Sequence, residues 1–219
     1  MVEEFKTIKF NNSVEIVEKK SRFIANLMYI ENEEEALSKI REIKKKYYDA
    51  RHNCFAYRVL SEDFIIQRSS DDGEPSGTAG APMLNILEKN NIANVLVVVT
   101  RYFGGVLLGT GGLVKAYSET TLKAIQENEL EEKEMGYEVL FILSYQNVKQ
   151  LEYFFKINNI KIIKKEYLDN VTILVELSKD KYKKIEKEFP KNVNKNIKYE
   201  IKTEKNISKN VVKQTIQQK

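Results

Sequence analysis

The sequence predicts an α+β protein of two domains, and three observations lead there. The first 128 residues order their periodic segments as strands, helix, strands, helix, strand, helix, and the residues after 134 as strand, helix, strand, strand, helix, strand. A charged stretch, ELEEKE at 129–134, parts the two runs and reads as a linker. Charge divides at the same place: residues 1–134 hold 18 Lys+Arg against 22 Asp+Glu, whereas residues 135–219 hold 18 Lys against 10 Asp+Glu. The domain bounds that follow are 1–130 and 135–206, with 207–219 a polar tail expected to fray.

In the first domain FKTIKF (5–10), VEIVEKK (14–20) and RFIANLMYI (22–30) are rich in β-branched and aromatic residues, and polar turns part them, so they open a meander. Asn32 is placed to cap a helix in which Ala36, Leu37, Ile40, Ile43 and Tyr47 recur at helical spacing. Glu33–Glu35 at its start and Lys44–Lys46 at its end suit the helix dipole. CFAYRVL (54–60) and FIIQRS (64–69) follow as two strands joined by SED. A helix over 79–90 comes next, with Thr78 as N-cap and Pro82 in the first turn, where no intrahelical amide bond is lost. Strand 94–100 is almost wholly apolar, which places it at the centre of a sheet covered on both faces. The last helix runs from Thr110, its expected cap, to about Asn128, and Leu113, Val114, Tyr117 and Ile125 form its buried side.

The second domain reads as strand 136–144, helix 147–158, strands 160–167 and 171–177, helix 180–189 and strand 197–203. This βαββαβ order is that of a ferredoxin-like sandwich, two helices on one face of a four-stranded sheet. Asp169 and Asn170 suit the hairpin turn between the middle strands. Tyr145, Tyr153, Phe154 and Phe155 are expected in its core, and no residue of this domain has a catalytic look.

Candidate chemistry gathers in residues 68–112, which hold eight of the nine glycines and two of the three prolines. Glycine and proline at this density specify shaped loops rather than a flexible linker. The first loop, Ser69–Gly80, offers Asp71, Asp72 and Glu74 as catalytic candidates, with Asp71 and Asp72 able to take Mg2+ through oxygen ligands. The same residues also compose a turn in which Asp and Ser bond their own backbone. The second loop, Arg101–Gly112, leads from a strand into a helix. Its Gly104, Gly105, Gly109, Thr110, Gly111 and Gly112, flanked by Arg101 and Lys115, present amides and charge to an anion such as phosphate. A tight strand-to-helix turn explains the same glycines. His52, the single histidine, becomes a general base if Asp72 or Glu74 reaches it. Tyr102 and Phe103, together with Arg51, Tyr57 and Arg58, form a candidate base-stacking group. If the two loops lie side by side, they make one polar concavity.

Composition narrows the classes. One cysteine and one histidine cannot make an intramolecular disulfide or the usual zinc sites. No apolar run approaches the roughly 20 residues that span a bilayer, and the acidic N-terminus is unlike a signal peptide, so a cytoplasmic location without a membrane is expected. The lysines of the second half suit RNA phosphates or a solvated surface equally well.

Four motifs carry a resemblance: KSRFIA (20–25), ARHNCFAYR (50–58), DDGEPSGTAGAPM (71–83) and VVVTRYFGGVLLGTGGLVKAYS (97–118) resemble those of the YigZ/IMPACT family. The resemblance implies a ribosomal protein S5 domain 2-like fold for the N-terminal domain and a link to translation and its regulation. The C-terminal arrangement is similar to the ferredoxin-like fifth domain of elongation factor G. Two readings of function follow. One is a translation-associated regulatory protein that binds RNA, the ribosome or a translation factor. The other is a Mg2+-dependent phosphotransferase or hydrolase acting on a phosphorylated small molecule or nucleotide at Asp71, Asp72 and the Gly104–Gly112 loop.

Overall fold

The computed structural model describes residues 4–61, 64–192 and 197–208. Its elements are β1 (Glu4–Ile8), β2 (Asn12–Glu18), β3 (Ser21–Tyr29), α1 (Glu33–Lys46), β4 (His52–Ser61), β5 (Phe64–Ser70), α2 (Gly80–Lys89), β6 (Val95–Tyr102) and α3 (Gly109–Gln126), followed by β7 (Leu130–Leu143), α4 (Val148–Ile157), β8 (Lys161–Tyr167), β9 (Val171–Ser178), α5 (Lys179–Asn192) and β10 (Lys198–Ser208). It divides into two compact units, residues 1–132 and 133–219. The architecture is mixed α+β with two antiparallel sheets and five α-helices among the described residues.

In the first unit the sheet runs β2-β3-β6-β4-β5, every neighbouring pair antiparallel. Val95 to Val99 of β6 are all fully buried, because β6 is the middle strand and both of its faces are covered. Ile30, Tyr57, Val59, Leu96 and Val98 point to one face and pack on α1, which contributes Ala36, Ile40 and Ile43. Phe23, Ala25, Cys54, Ala56, Val97 and Val99 point to the other face and meet α2 and α3. The ends of α1 follow the expected chemistry: the Asn32 side chain accepts the Glu35 amide at 2.8 Å, and the Glu35 carboxylate accepts the Glu31 amide at 2.8 Å. Leu37 departs from expectation, since it stays exposed on the outer side of α1.

In the second unit the strand order is β10-β7-β9-β8, again antiparallel throughout. Val139, Phe141 and Leu143 of β7 and the odd-numbered residues 171–177 of β9 share one core with Val148, Leu151, Phe154, Phe155 and Ile185. Both helices therefore cover one face of this sheet.

Three expectations change here. ELEEKE is not a loop, because β7 begins at Leu130 and carries that charge on strand positions. The strand after α5 does not stop at 203 but runs to Ser208, pairing Ile207 with Glu134, so the start of the expected tail is sheet. Residues 209–219 lie outside the described residues, as do Glu62 and Asp63 of the SED turn. Tyr145 and Tyr153 are exposed, while Phe154 and Phe155 are buried.

Candidate functional site

The two glycine loops are tied together by a buried polar cluster. Arg101, at the end of β6, is 7% exposed, and its Nη1 donates to Glu74 Oε1 of the first loop at 2.7 Å. The same oxygen accepts the Tyr117 hydroxyl of α3 at 2.9 Å. Cys54 Sγ lies 2.9 Å from the Asp71 carbonyl, to which its proton donates, and 3.4 Å from the Tyr117 oxygen. The Phe23 ring closes the cluster, 5.2 Å edge-on from Tyr117 and 5.4 Å beneath the guanidinium of Arg101. Burial is the main cause that pushes the Cys54 thiol up to about 12, with the nearby carboxylates adding to it. At neutral pH it is a protonated core residue and not a nucleophile. Burial also holds the Tyr117 phenol far above its ordinary value, so it remains a donor.

Loop Ser69–Gly80 uses its carboxylates as scaffold. Asp71 Oδ1 accepts the amides of Ala79 and Gly80 at 2.9 and 2.8 Å, and Oδ2 accepts Gly77 at 2.8 Å. This side chain, and not Thr78, satisfies the start of α2; the Thr78 hydroxyl donates to the Pro75 carbonyl at 2.6 Å. Burial alone would raise the Asp71 carboxyl, but the three amides together outweigh it and hold it below the usual range. Asp72 is equally committed: Oδ1 pairs with Lys44 at 2.6 Å and Oδ2 accepts the Asn53 amide at 2.8 Å. Among the described residues no carboxylate is bonded to His52. Its Nδ1 instead lies 2.9 Å from the Asp72 carbonyl, an acceptor, which places the ring proton on Nδ1. Both oxygens of Asp71 and of Asp72 thus hold amides or a lysine, and no group of three or more His, Cys, Asp or Glu is placed to hold a metal among the described residues.

Loop Arg101–Gly112 is built to be seen. Gly104 is packed so closely on the β2–β3 turn that a Cβ there would lie 2.0 Å from the Lys20 carbonyl carbon. Gly105 and Gly109 have φ of +83° and +74°, open to glycine at no steric cost. Phe103 just before these fixed points, and Val106 and Leu107 between them, project into solvent, Leu107 at 83% exposure, while Leu108 turns inward. The helix begins one residue before Thr110, at Gly109, with no side-chain cap, so Gly109, Thr110 and Gly111 sit exposed in its first turn. Lys115 is also exposed, with only a loose 3.7 Å contact to Glu119. Arg101, expected to reach an anion, instead braces the loops from within. Val114, expected on the buried side of α3, is exposed.

Of the candidate base-stacking group, Arg51 and Phe103 are exposed and Tyr102 is half-buried, but Tyr57 and Arg58 are not at the surface. Tyr57 is buried in the sheet, and Arg58 Nη1 donates to the Leu87 and Ile92 carbonyls at 3.2 and 2.9 Å, closing the end of α2. What sequence reasoning missed is Tyr117, which reads as one more apolar position on a helix, although its hydroxyl completes the Glu74 site.

Comparison with known proteins bears on this arrangement. The Impact N-terminal domain matches residues 19–125, which hold both loops and every member of the cluster. The IMPACT family member YvyE of Bacillus subtilis is 47% identical over 125 residues, 57% of this chain and 57% of YvyE, so the match spans little more than half of that relative. The IMPACT family member YigZ of Escherichia coli is 38% identical over 160 residues, 73% of this chain and 78% of YigZ. A crystal structure described as that of a hypothetical protein covers 91% of this chain and 97% of its own at 31% identity, with a TM-score of 0.61. With this similarity extending past the loops and across most of YigZ, the chain belongs to the YigZ/IMPACT family.

Proposed function

We propose that this chain is a cytoplasmic, translation-associated regulatory protein that acts by binding, with RNA, free or in the ribosome, as its partner. The observation that supports binding over turnover is the commitment of Asp71, Asp72 and Glu74 to helix capping and ion pairs. The groups left at the surface are of another kind. They are the exposed glycine-rich entry of α3 with Lys115, suited to a phosphate, and a lysine-rich second unit. Family membership supports the link to translation. The order β10-β7-β9-β8 with two helices on one face supports a ferredoxin-like second unit, and the five-stranded antiparallel sheet with its helices is compatible with an S5-like first unit. The phosphotransferase or hydrolase reading has less support, because Asp71, Asp72 and Glu74 already hold amides, a lysine and an arginine. The test is binding of the full chain to labelled RNA and to ribosomal subunits across a salt series. We expect binding that falls steeply as salt rises. Absence of binding at low salt, together with Mg2+-dependent turnover of a nucleotide that Asp72→Ala abolishes, would reverse the assignment.

A further inference from the structure

The two faces of the second unit carry lysine differently. On the open sheet face and along its edges three lysines are bound by glutamates: Lys164 to Glu166 at 2.6 Å, Lys202 to Glu200, and Lys205 to Glu138 and Glu176 at 2.6 and 2.8 Å. A shallow cavity of about 280 Å³ on this face is lined by Glu138, Leu140, Lys164, Glu166, Thr172, Leu174 and Lys202, with no aromatic side chain. The cavity on this face has no stacking ring, although Lys161 and Lys198, level with Glu176 and Ile142, are exposed there and in no ion pair among the described residues. The helix face offers unpaired lysines and a ring together. Lys149, Lys156 and Lys183 are exposed and take part in no ion pair among the described residues. Tyr153, which the sequence assigned to the core, is 65% exposed between the two α4 lysines. One turn further, Ile157 is exposed too and forms the lip of a groove of about 230 Å³ whose apolar lining is Ile157, Ile160 and Ile185 and whose rim carries Lys181 and Lys184.

We propose that this helix face is where single-stranded RNA binds, one base stacking on the Tyr153 ring and its neighbour entering the Ile157–Ile185 groove, with phosphates held by Lys149, Lys156 and Lys183. This rests on the RNA-binding reading above and assigns it a surface. Tyr153 and Ile157 are four residues apart, about 6 Å along the helix axis, a step that neighbouring unstacked bases span. A duplex would bury the base faces that the ring and the groove receive, and a protein partner would leave the lysines without a repeating anion. Stacking on an aromatic ring tolerates any base, so little sequence preference is expected.

The test is fluorescence anisotropy of a labelled 12-residue oligouridylate with the full chain over a salt series. Tyr153→Ala is expected to weaken binding by about ten-fold. Lys149→Gln with Lys156→Gln is expected to lower the slope of log affinity against log salt by about 1.4, at roughly 0.7 for each phosphate contact to a single strand. Lys164→Gln with Lys202→Gln on the sheet face is expected to change neither. All these positions are exposed or lie at the surface, and unchanged thermal melts exclude loss of fold as the cause. If the helix-face variants bind as the parent does while the sheet-face variant loses affinity, the surface assignment is overturned and RNA binding stands. If the parent binds no oligonucleotide at low salt, both fall, and the exposed face is then assigned to a protein.

Discussion

Ser69–Gly80 and Arg101–Gly112 hold eight of the nine glycines and both lead into helices, yet they place their polar groups in opposite ways. In the first, Asp71, Asp72 and Glu74 all turn inward to amides or to charged partners. In the second, Arg101 is buried, while Phe103, Val106, Leu107 and the glycine-bearing first turn of α3 face water. The difference teaches that an acidic loop beside a glycine loop is not evidence of a metal-phosphate site. Here the acids build the frame that holds the glycine loop in shape.

The strongest way to break this comparison is at the point where the loops meet. Glu74→Ala leaves Arg101 buried without its counter-charge, and we expect a loss of about 3–5 kcal/mol in urea unfolding. Glu74→Leu combined with Arg101→Met should recover much of it, since neither charge is then stranded. A single variant as stable as the parent would mean that the loops are not held by this pair.

Gly104→Ala comes next, with an expected loss of about 2–3 kcal/mol, because the new methyl would meet backbone that cannot rotate away. Asp71→Ala removes the three-amide cap of α2 and should cost about 1–2 kcal/mol. Its sign with pH is fixed: a carboxyl held below its unfolded value of about 3.9 stabilises the fold above that pH, and the contribution is lost as pH falls through the lower folded value. Parent and Asp71→Ala stabilities should therefore converge on acidification below about pH 4, and parallel curves would contradict the cap.

The smallest effect has the opposite sign. Gly111 lies in the first turn of α3 with open space around its Cβ position, so Gly111→Ala should stabilise by about 0.5–1 kcal/mol in the same unfolding assay. A stable Gly111→Ala chain that binds RNA more weakly would mark the exposed helix entry as a contact and sharpen the contrast between the loops. Unchanged binding would confine that glycine to backbone geometry.

Much of this fold is legible in the sequence because its signals act over one or two turns of chain. Asn32 with Glu35, the acidic start and basic end of α1, and the unbroken apolar run of β6 each state their structure locally. What the sequence could not decide involves partners far apart. Arg101 and Glu74 are 27 residues apart and Tyr117 and Glu74 are 43 apart, so only the closed sheet brings them together. The cap of α2 comes from eight and nine residues upstream, where a local reading finds Thr78 first. Tyr153 and Phe154 look alike as apolar helix residues, but adjacent positions lie about 100° apart around a helix. Which of the two meets the sheet is set by tertiary packing, and that choice leaves one aromatic ring in the core and the other free to bind.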